Sequence, residues 1–218
     1  MATKHRRTSA SSTATPARKA ALELVRRSRE SHQFLSSFAP RVLESAQLES
    51  ADKAFARLLA QGALSLQVTL DALINEVLRT PCDIQDDVRD ALRISAYEII
   101  YLHKEDHAAV DQGVELVRSF APRATGVANY VLHRIVEAKE RFPEGDPETS
   151  LEAAARFYGF PQWLAAAIKK DIGTRNAIAL MARSLEPAPV YFSANELSSS
   201  HDKIARLLEA SGIEVSTQ

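Results

Sequence analysis

The sequence predicts a mainly all-α protein, in which a helical bundle is followed by a small α+β segment. Apolar residues recur every three or four positions through most of the first 141 residues, which is the spacing of amphipathic helices. After a proline- and glycine-containing stretch at 142–150, helical runs alternate with short β-type runs. With 45% hydrophobic and 25% charged residues, the composition is that of a folded protein.

Residues 1–15 are serine, threonine, alanine and basic residues without apolar periodicity, so a disordered basic arm is expected there. Residues 1–30 contain eight lysines and arginines and two glutamates, a net charge of +6. The whole chain carries −1, so the other 188 residues sum to −7. A basic arm on an acidic body is typical of proteins that bind nucleic-acid phosphates, although a solvated helix behind a flexible terminus fits equally well.

The first ordered element is a helix from Pro16, and a second short helix is expected around 31–46. Apolar recurrence over 52–79 is too long for a strand, and Gly62 within it indicates either a break or a close helix crossing. Three further apolar stripes predict helices near 84–102, 107–120 and 125–141. The bundle is therefore expected to span 16–141.

Residues 142–150 are predicted to be a linker, and 151–218 a small α+β segment. Short helices punctuated by Gly159 and Gly173 come first. The run "PAPVYFSAN" (187–195) then predicts a strand, "SSSHDKIARLLEASG" a capped helix, and "IEVST" (213–217) a second strand. Trp163 could stack on a nucleobase, but packing in a small core is the favoured interpretation.

Local chemistry gives no catalytic, cofactor or metal site. The seven glycines are at least thirteen positions apart, whereas phosphate-binding loops need closely spaced glycines. His103 and His107, with two acids between them, are more typical of a helix end than of a metal site. The single cysteine, Cys82, has no identifiable base. Short apolar runs and the absence of a secretory pattern predict a cytoplasmic protein without membrane contact.

Four segments in order, "DKAFARLLAQGAL", "VRDALRISAYEIIYL", "HAAVDQGVELV" and "GVANYVLHRI", resemble the NusB-like RNA-binding domain. More specifically, they resemble that domain at the N-terminus of the RsmB (Sun/Fmu) family of 16S ribosomal RNA cytosine-5 methyltransferases. The continuation "ARFYGFPQWL" and beyond is similar to the segment that joins this domain to the catalytic domain. The resemblance covers about 16–217.

The resemblance implies an all-α bundle for RNA or protein recognition. In that family, catalysis belongs to a downstream domain that binds S-adenosylmethionine through a glycine-rich loop and carries two cysteines. Neither feature matches these residues, so the chain as given is expected not to be an enzyme, and S-adenosylmethionine is expected only for a downstream domain. A truncated methyltransferase is the corresponding alternative.

The expected partner is RNA, specifically 16S ribosomal RNA, and no DNA role is expected. The predicted RNA-binding residues are basic residues of the arm, the first helix and the last bundle helix, namely Lys4, Arg6, Arg7, Arg18, Lys19, Arg26, Arg27 and Arg134. The rival interpretation is a NusB-like protein-interaction or antitermination module without a methyltransferase role.

Three positions depart from the family pattern, because Ser65, His133 and Ser193 stand where arginines are common. Each replacement could weaken RNA binding, or the arginines could have been structural. Asn129, in the most characteristic segment, is expected to be a structural amide that ties its helix to a neighbour. Val127, Val131 and Ile135 are expected to form the apolar stripe of that helix.

Overall fold

In the computed structural model, described residues are 13–78, 80, 83–186, 191, 193, 195 and 199–215. The chain divides into two compact units, Met1–Leu185 and Glu186–Gln218. The described residues of the first unit form α1 (Pro16–Ser31), α2 (Leu35–Ser45), α3 (Ser50–Ser65), α4 (Gln67–Val77), α5 (Asp86–Ile100), α6 (Asp106–Arg118), α7 (Thr125–Lys139), α8 (Leu151–Tyr158), α9 (Gln162–Ile172) and α10 (Thr174–Ser184). The mainly helical fold is confirmed.

Helix α5 is the centre of the bundle and packs against α1, α3, α4, α6 and α7. Its residues from Ala91 to Ile100 are buried on every side, which is the environment of a central helix rather than of a surface helix. Three of its charged residues, Asp90, Arg93 and Glu98, are therefore buried as well. Each of them needs a charged partner on a neighbouring element, because an unpaired charge in a core is strongly unfavourable.

Gly62 marks a close crossing between α3 and α5, as one of the two sequence interpretations predicted. A Cβ atom at this position would lie 2.2 Å from Cζ of Tyr97. Helix α3 continues through Gly62 to Ser65, and the predicted 52–79 run divides at Leu66 into α3 and α4. The glycine is thus required by helix packing and not by a helix break.

Helices α8–α10 share a small core of their own that includes Leu151, Ala165 and Met181. They join the bundle through hydrogen bonds from the Tyr101 hydroxyl to the Phe157 carbonyl (2.7 Å) and from the Thr69 hydroxyl to the Arg156 carbonyl (2.5 Å). Trp163 is 72% exposed, so the expectation that it packs this core is wrong. Phe160 and Tyr158 are the aromatic residues that pack against this core instead.

Burial raises the pKa of Tyr101 well above its ordinary value, and the neighbouring Tyr97 adds to the effect. Because the folded state holds this proton more tightly, Tyr101 contributes stability below the ordinary tyrosine pKa of about 10 and loses it as pH rises further. We expect the urea midpoint of the wild type to fall between about pH 9.5 and 11.5 more steeply than that of Tyr101→Phe. Parallel curves for the two proteins would contradict this assignment.

In the second unit, the predicted helix is confirmed as α11 (His201–Ala210). The strand predicted at 187–195 falls mostly outside the described residues. Of the strand predicted at 213–217, the described part, 213–215, is not a strand. The domain boundary at 142–150 stays a prediction, as does the arm at 1–15, of which only 13–15 are described. Among the described residues, no helix is long and apolar enough to cross a membrane.

Candidate nucleic-acid interface

Arg18, a predicted phosphate contact on α1, lies against the buried end of α5. Its Nε donates to Glu98 Oε1 at 2.8 Å and its Nη2 to Glu98 Oε2 at 2.5 Å. The Glu98 side chain is only 1% exposed and that of Arg18 13%. The guanidinium group also lies 5.4 Å from the centre of the Phe55 ring. This bidentate pair holds α1 on α5, so Arg18 would have to leave a buried carboxylate to reach a phosphate.

The other predicted cations differ in what they contact. Arg26 pairs with Asp87 (Nη2 to Oδ2, 2.9 Å) and lies 5.9 Å from the centre of the Phe120 ring. Arg27 pairs with Glu23 on the solvent side of α1. Lys19 is exposed and forms no ion pair with a described residue. Lys4, Arg6 and Arg7 lie outside the described residues. The RNA-binding roles of all these residues stay predictions.

Sequence reasoning did not identify Arg29 as a residue that joins α1 to α5. Its Nε donates to the fully buried Asp90 at 2.9 Å, and its Nη2 donates to Asp87 at 2.7 Å. Asp90 also accepts from Arg93 Nη1 at 2.7 Å. The acid-rich start of α5, "DDVRD", was the one feature of the sequence that could have indicated this role. Its partner on α1 lies about sixty residues away, so no local sequence pattern reveals the pairing.

The outer face of α7 is the most accessible part of the family-like segment. Gly126, Asn129, Tyr130, His133 and Arg134 are all exposed, and together they define what we call the α7 outer face. Residues three and four apart are neighbours on a helix surface, so these side chains form one continuous strip. The opposite face of the helix is fully buried and consists of Ala128, Val131, Leu132 and Ile135.

Two expectations about α7 are wrong. Asn129 is exposed and its side chain forms no hydrogen bond with a described residue, so it is not a structural amide. Val127 is 42% exposed and does not belong to the buried stripe. Ala128 occupies the corresponding buried position instead, because the buried residues follow an i, i+3, i+4, i+7 pattern from 128. The amide is left free for contact with another molecule.

Two exposed arginines, one on the α7 outer face and one in the turn before it, form at most a surface ion pair with the described residues. Arg134 is 53% exposed and, among the described residues, pairs with Glu137 alone, an exposed residue one turn further along. Surface pairs of this kind contribute little stability, so the guanidinium can exchange its partner at small cost. Arg123, in the 3-10 turn Pro122–Ala124 before α7, is exposed and forms no ion pair with a described residue.

A groove of about 540 Å³ adjoins this face where α5 begins and α6 ends. Arg123 and Val127 line it together with the apolar side chains of Ile84, Val88 and Phe120. Since Arg26 lies beside Phe120, the structure brings one predicted cation of α1 close to the start of α7. The electrostatics of the groove are mixed, because Asp83 is also part of its lining.

The three positions where arginine was expected are all exposed. Ser65 lies at the end of α3, His133 on the α7 outer face, and Ser193 in the second unit. Both interpretations of these replacements, weaker RNA binding and the loss of a structural arginine, stay predictions. Within the described residues, no group of three or more histidine, cysteine, aspartate or glutamate side chains could hold a metal ion, and Cys82 lies outside them.

The bundle matches a known class of domain. Residues 15–137 match the model of the NusB family, and the chain therefore belongs to that family. Residues 160–218 match the ferredoxin-like domain of RsmF/B-like methyltransferases. This combination confirms the resemblance to the RsmB family drawn from the sequence.

Curated relatives point the same way. The chain is 32% identical over 143 residues to "Ribosomal RNA small subunit methyltransferase B" of Thermus thermophilus, a match that covers 66% of this chain and 32% of the relative. It is 24% identical over 205 residues to the "Probable ribosomal RNA small subunit methyltransferase B" of Bacillus subtilis, covering 92% of this chain and 45% of the relative. A Mycobacterium tuberculosis protein named as a methyltransferase, Rv1407, is 30% identical over 165 residues, covering 72% and 36%. The chain thus spans a third to just under half the length of these relatives.

The fold is also similar to a solved structure, the crystal structure of PH0851. The TM-score is 0.63 at 17% sequence identity, and the match covers 93% of this chain and 46% of that one. At this level of identity the similarity concerns the fold alone.

These relatives correct one expectation from the sequence, namely that the chain is not an enzyme. Proteins named as methyltransferases match 66 to 92% of it. The expectation rested on the wide glycine spacing and the lack of matching cysteines within 218 residues, whereas more than half of each relative lies outside the match.

Proposed function

We propose that this chain binds ribosomal RNA of the small subunit, 16S RNA, within a system that methylates a cytosine of that RNA at carbon 5. In this proposal the α7 outer face and the basic N-terminal arm hold the RNA. Support comes from the membership of residues 15–137 in the NusB family and from relatives named as small subunit methyltransferases. A cytoplasmic location, no DNA partner and no membrane contact remain predictions that accompany this proposal.

The observation that carries the proposal is the exposure of a polar and aromatic strip in the most family-like segment. The Asn129 side chain has no hydrogen bond among the described residues, and Tyr130 is 56% exposed. Sequence-specific RNA recognition commonly uses unpaired bases that stack on aromatic rings and hydrogen-bond to amides. Neither side chain stabilises the bundle in an evident way, so a contact role explains their chemistry better than a packing role.

Four residues of the α7 outer face have distinct parts in the proposed contact, together with Arg123 in the turn before the helix. The Tyr130 ring offers a stacking surface, and the Asn129 amide can donate and accept at a base edge. Arg134, after exchanging Glu137 for a phosphate, and Arg123 at the preceding turn hold the backbone. His133, in the same strip, offers imidazole nitrogens for hydrogen bonding to the RNA.

S-adenosylmethionine is the proposed methyl donor, but we assign it to no residue of this chain. The seven glycines are too far apart in sequence to form the closely spaced cradle that a nucleoside cofactor uses. Among the described residues, the chemistry offered by the α7 outer face is therefore binding and orientation of RNA.

Arg134 and Arg118 provide a matched test of this interface. Both side chains are 53% exposed, and each pairs with a glutamate three residues away, but Arg134 lies on the α7 outer face and Arg118 at the end of α6. We expect Arg134→Ala to weaken binding to a small-subunit RNA fragment and to reduce the slope of log K against log salt by about 0.7 to 0.9. Arg118→Ala should leave both quantities unchanged.

The binding isotherms are measured by fluorescence anisotropy over a salt series, with melting temperatures recorded in parallel. Equal losses of affinity in the two variants would show that the effect is general electrostatics and not the α7 outer face. Binding of the wild type that does not depend on salt would contradict the role of phosphate contacts altogether.

A protein-binding or antitermination module is the second candidate function. The groove beside α7 favours it, because Ile84, Phe120 and the exposed Val127 give it an apolar lining. Apolar patches rimmed by polar residues are typical of protein interfaces. A pull-down after nuclease treatment distinguishes the two functions: partners retained by the wild type and lost in Val127→Asp, with RNA affinity unchanged, would support the protein-binding module.

A further inference from the structure

A second surface, remote in sequence from α7, has the composition of a single-strand binding site. The turn between α1 and α2 and the exposed side of α3 enclose two adjoining basins of about 690 and 530 Å³. Arg57 and Gln61 of α3 line both basins, so the two form one continuous groove. We call it the α2–α3 groove, and its lining also includes Phe34, Lys53, His32 and Leu58.

Phe34 is the most unusual residue of this groove because its ring is 87% exposed. Its backbone is nevertheless well fixed: its carbonyl accepts hydrogen bonds from the Ser37 amide at 3.0 Å and the Ser37 hydroxyl at 2.7 Å. The Ser28 hydroxyl donates to the Gln33 carbonyl at 3.0 Å and holds the same turn from the α1 side. An aromatic ring on a held backbone is a prearranged stacking surface.

The charge of the groove favours an anionic occupant. Arg57 is exposed and Lys53 half-buried, and neither forms an ion pair with a described residue. Glu44 is the acidic side chain among the lining residues. This positive surface lies on a body whose residues from 31 onward sum to −7. Unpaired cations in an otherwise acidic body provide charge complementarity to a phosphate backbone.

We propose that the α2–α3 groove binds a single-stranded segment of RNA. One base stacks on the Phe34 ring, Arg57 and Lys53 contact the flanking phosphates, and the Gln61 amide lies within the groove to meet a base edge. The combination of an exposed ring and cations is that of sequence-tolerant single-strand sites. This inference rests on the proposed RNA-binding function and adds to it a second contact that takes unpaired RNA.

A peptide is the less favoured occupant because the groove presents its largest apolar group outward and its charges unpaired. A protein-binding groove would be expected to enclose an apolar anchor, with charged groups depleted from its centre. Here Phe34 is 87% exposed instead of enclosed, and the lining includes Lys53, a residue type that is depleted from protein interfaces.

Binding of the full chain to two RNA probes tests the proposal. The first probe is a fluorescein-labelled oligouridylate of about 12 nucleotides, and the second is a fully paired RNA hairpin. Phe34→Ala should weaken oligouridylate binding roughly 5- to 100-fold, the range set by the loss of one base stack, and should change hairpin binding little. Phe34→Trp should retain the wild-type affinity, because an indole ring also stacks. Tyr191→Ala, which removes another highly exposed aromatic residue that does not line the groove, is the matched control and should have no effect.

Arg57→Ala should weaken the same probe and reduce the salt slope by about 0.7. Since Phe34 and Arg57 are exposed, circular dichroism melts should match the wild type and separate binding from folding. If Phe34→Ala binds oligouridylate as the wild type does while Arg134→Ala still weakens binding to the ribosomal fragment, the groove is not an RNA site and the proposed function stands. If the wild type binds no RNA of any kind, both are overturned.

Discussion

Replacing Arg18 with alanine is expected to lower the free energy of unfolding by about 3 to 5 kcal/mol. The loss comes from Glu98, whose carboxylate would remain buried in the bundle without its bidentate partner. Urea denaturation of the full chain measures the effect. Lys19→Ala is the matched control, because Lys19 is the next residue on the same helix but is exposed, and its substitution should change stability by less than about 0.5 kcal/mol.

A double variant sharpens this prediction. Arg18→Met with Glu98→Leu removes both charges and keeps much of the volume, so it should recover most of the stability that the single change loses. If Arg18→Ala unfolds at the wild-type urea concentration, the pair is not the attachment of α1 to α5. Arg18 would then be as available to RNA as the sequence alone suggested.

Gly62→Ala should have the second largest effect, a loss of about 1 to 3 kcal/mol. The added Cβ would lie 2.2 Å from Cζ of Tyr97, and the ring has little room to move because it stacks on Tyr101 with 5.6 Å between ring centres. The gain in helix propensity, about 1 kcal/mol, offsets only part of the strain. Thermal and urea unfolding of the variant measure the net change.

Gly126→Ala is the control for Gly62, because a Cβ there would meet nothing within 4 Å. The same substitution on an open helix face should leave stability unchanged or raise it by up to about 1 kcal/mol. Opposite signs for the two glycines are expected. A stabilising Gly62→Ala would show that α3 and α5 do not cross as closely as the structure has them.

The helices were predictable from the sequence because the apolar period of a buried helix face is local information. The face that each helix presents was less predictable, and α7 shows why. The predicted stripe 127, 131, 135 steps by four residues, which advances about 40° per step around a helix of 3.6 residues per turn. The buried face instead centres on Ala128, Leu132 and Ile135, so Val127 and Asn129 turn outward.

The roles of the basic residues on α1 could not be read from the sequence for a different reason. Arg18 finds its carboxylate 80 residues away, and Arg26 and Arg29 find theirs about 60 residues away. A cluster of positive charge near the N-terminus therefore looks the same whether it faces solvent or α5. The opposite error hid the exposed Phe34. A phenylalanine within a helical pattern is normally counted as a core residue, whereas this one lies on the surface.

The proposed contact between the α7 outer face and small-subunit ribosomal RNA is tested most directly by ultraviolet cross-linking of the chain to that RNA, followed by mass spectrometry of the protein. We expect cross-linked peptides that contain Tyr130, and we expect them to be lost in Tyr130→Ala at an RNA concentration that saturates the wild type. Cross-links that leave the whole of 122–137 unmodified, under conditions in which RNA is bound, would contradict it.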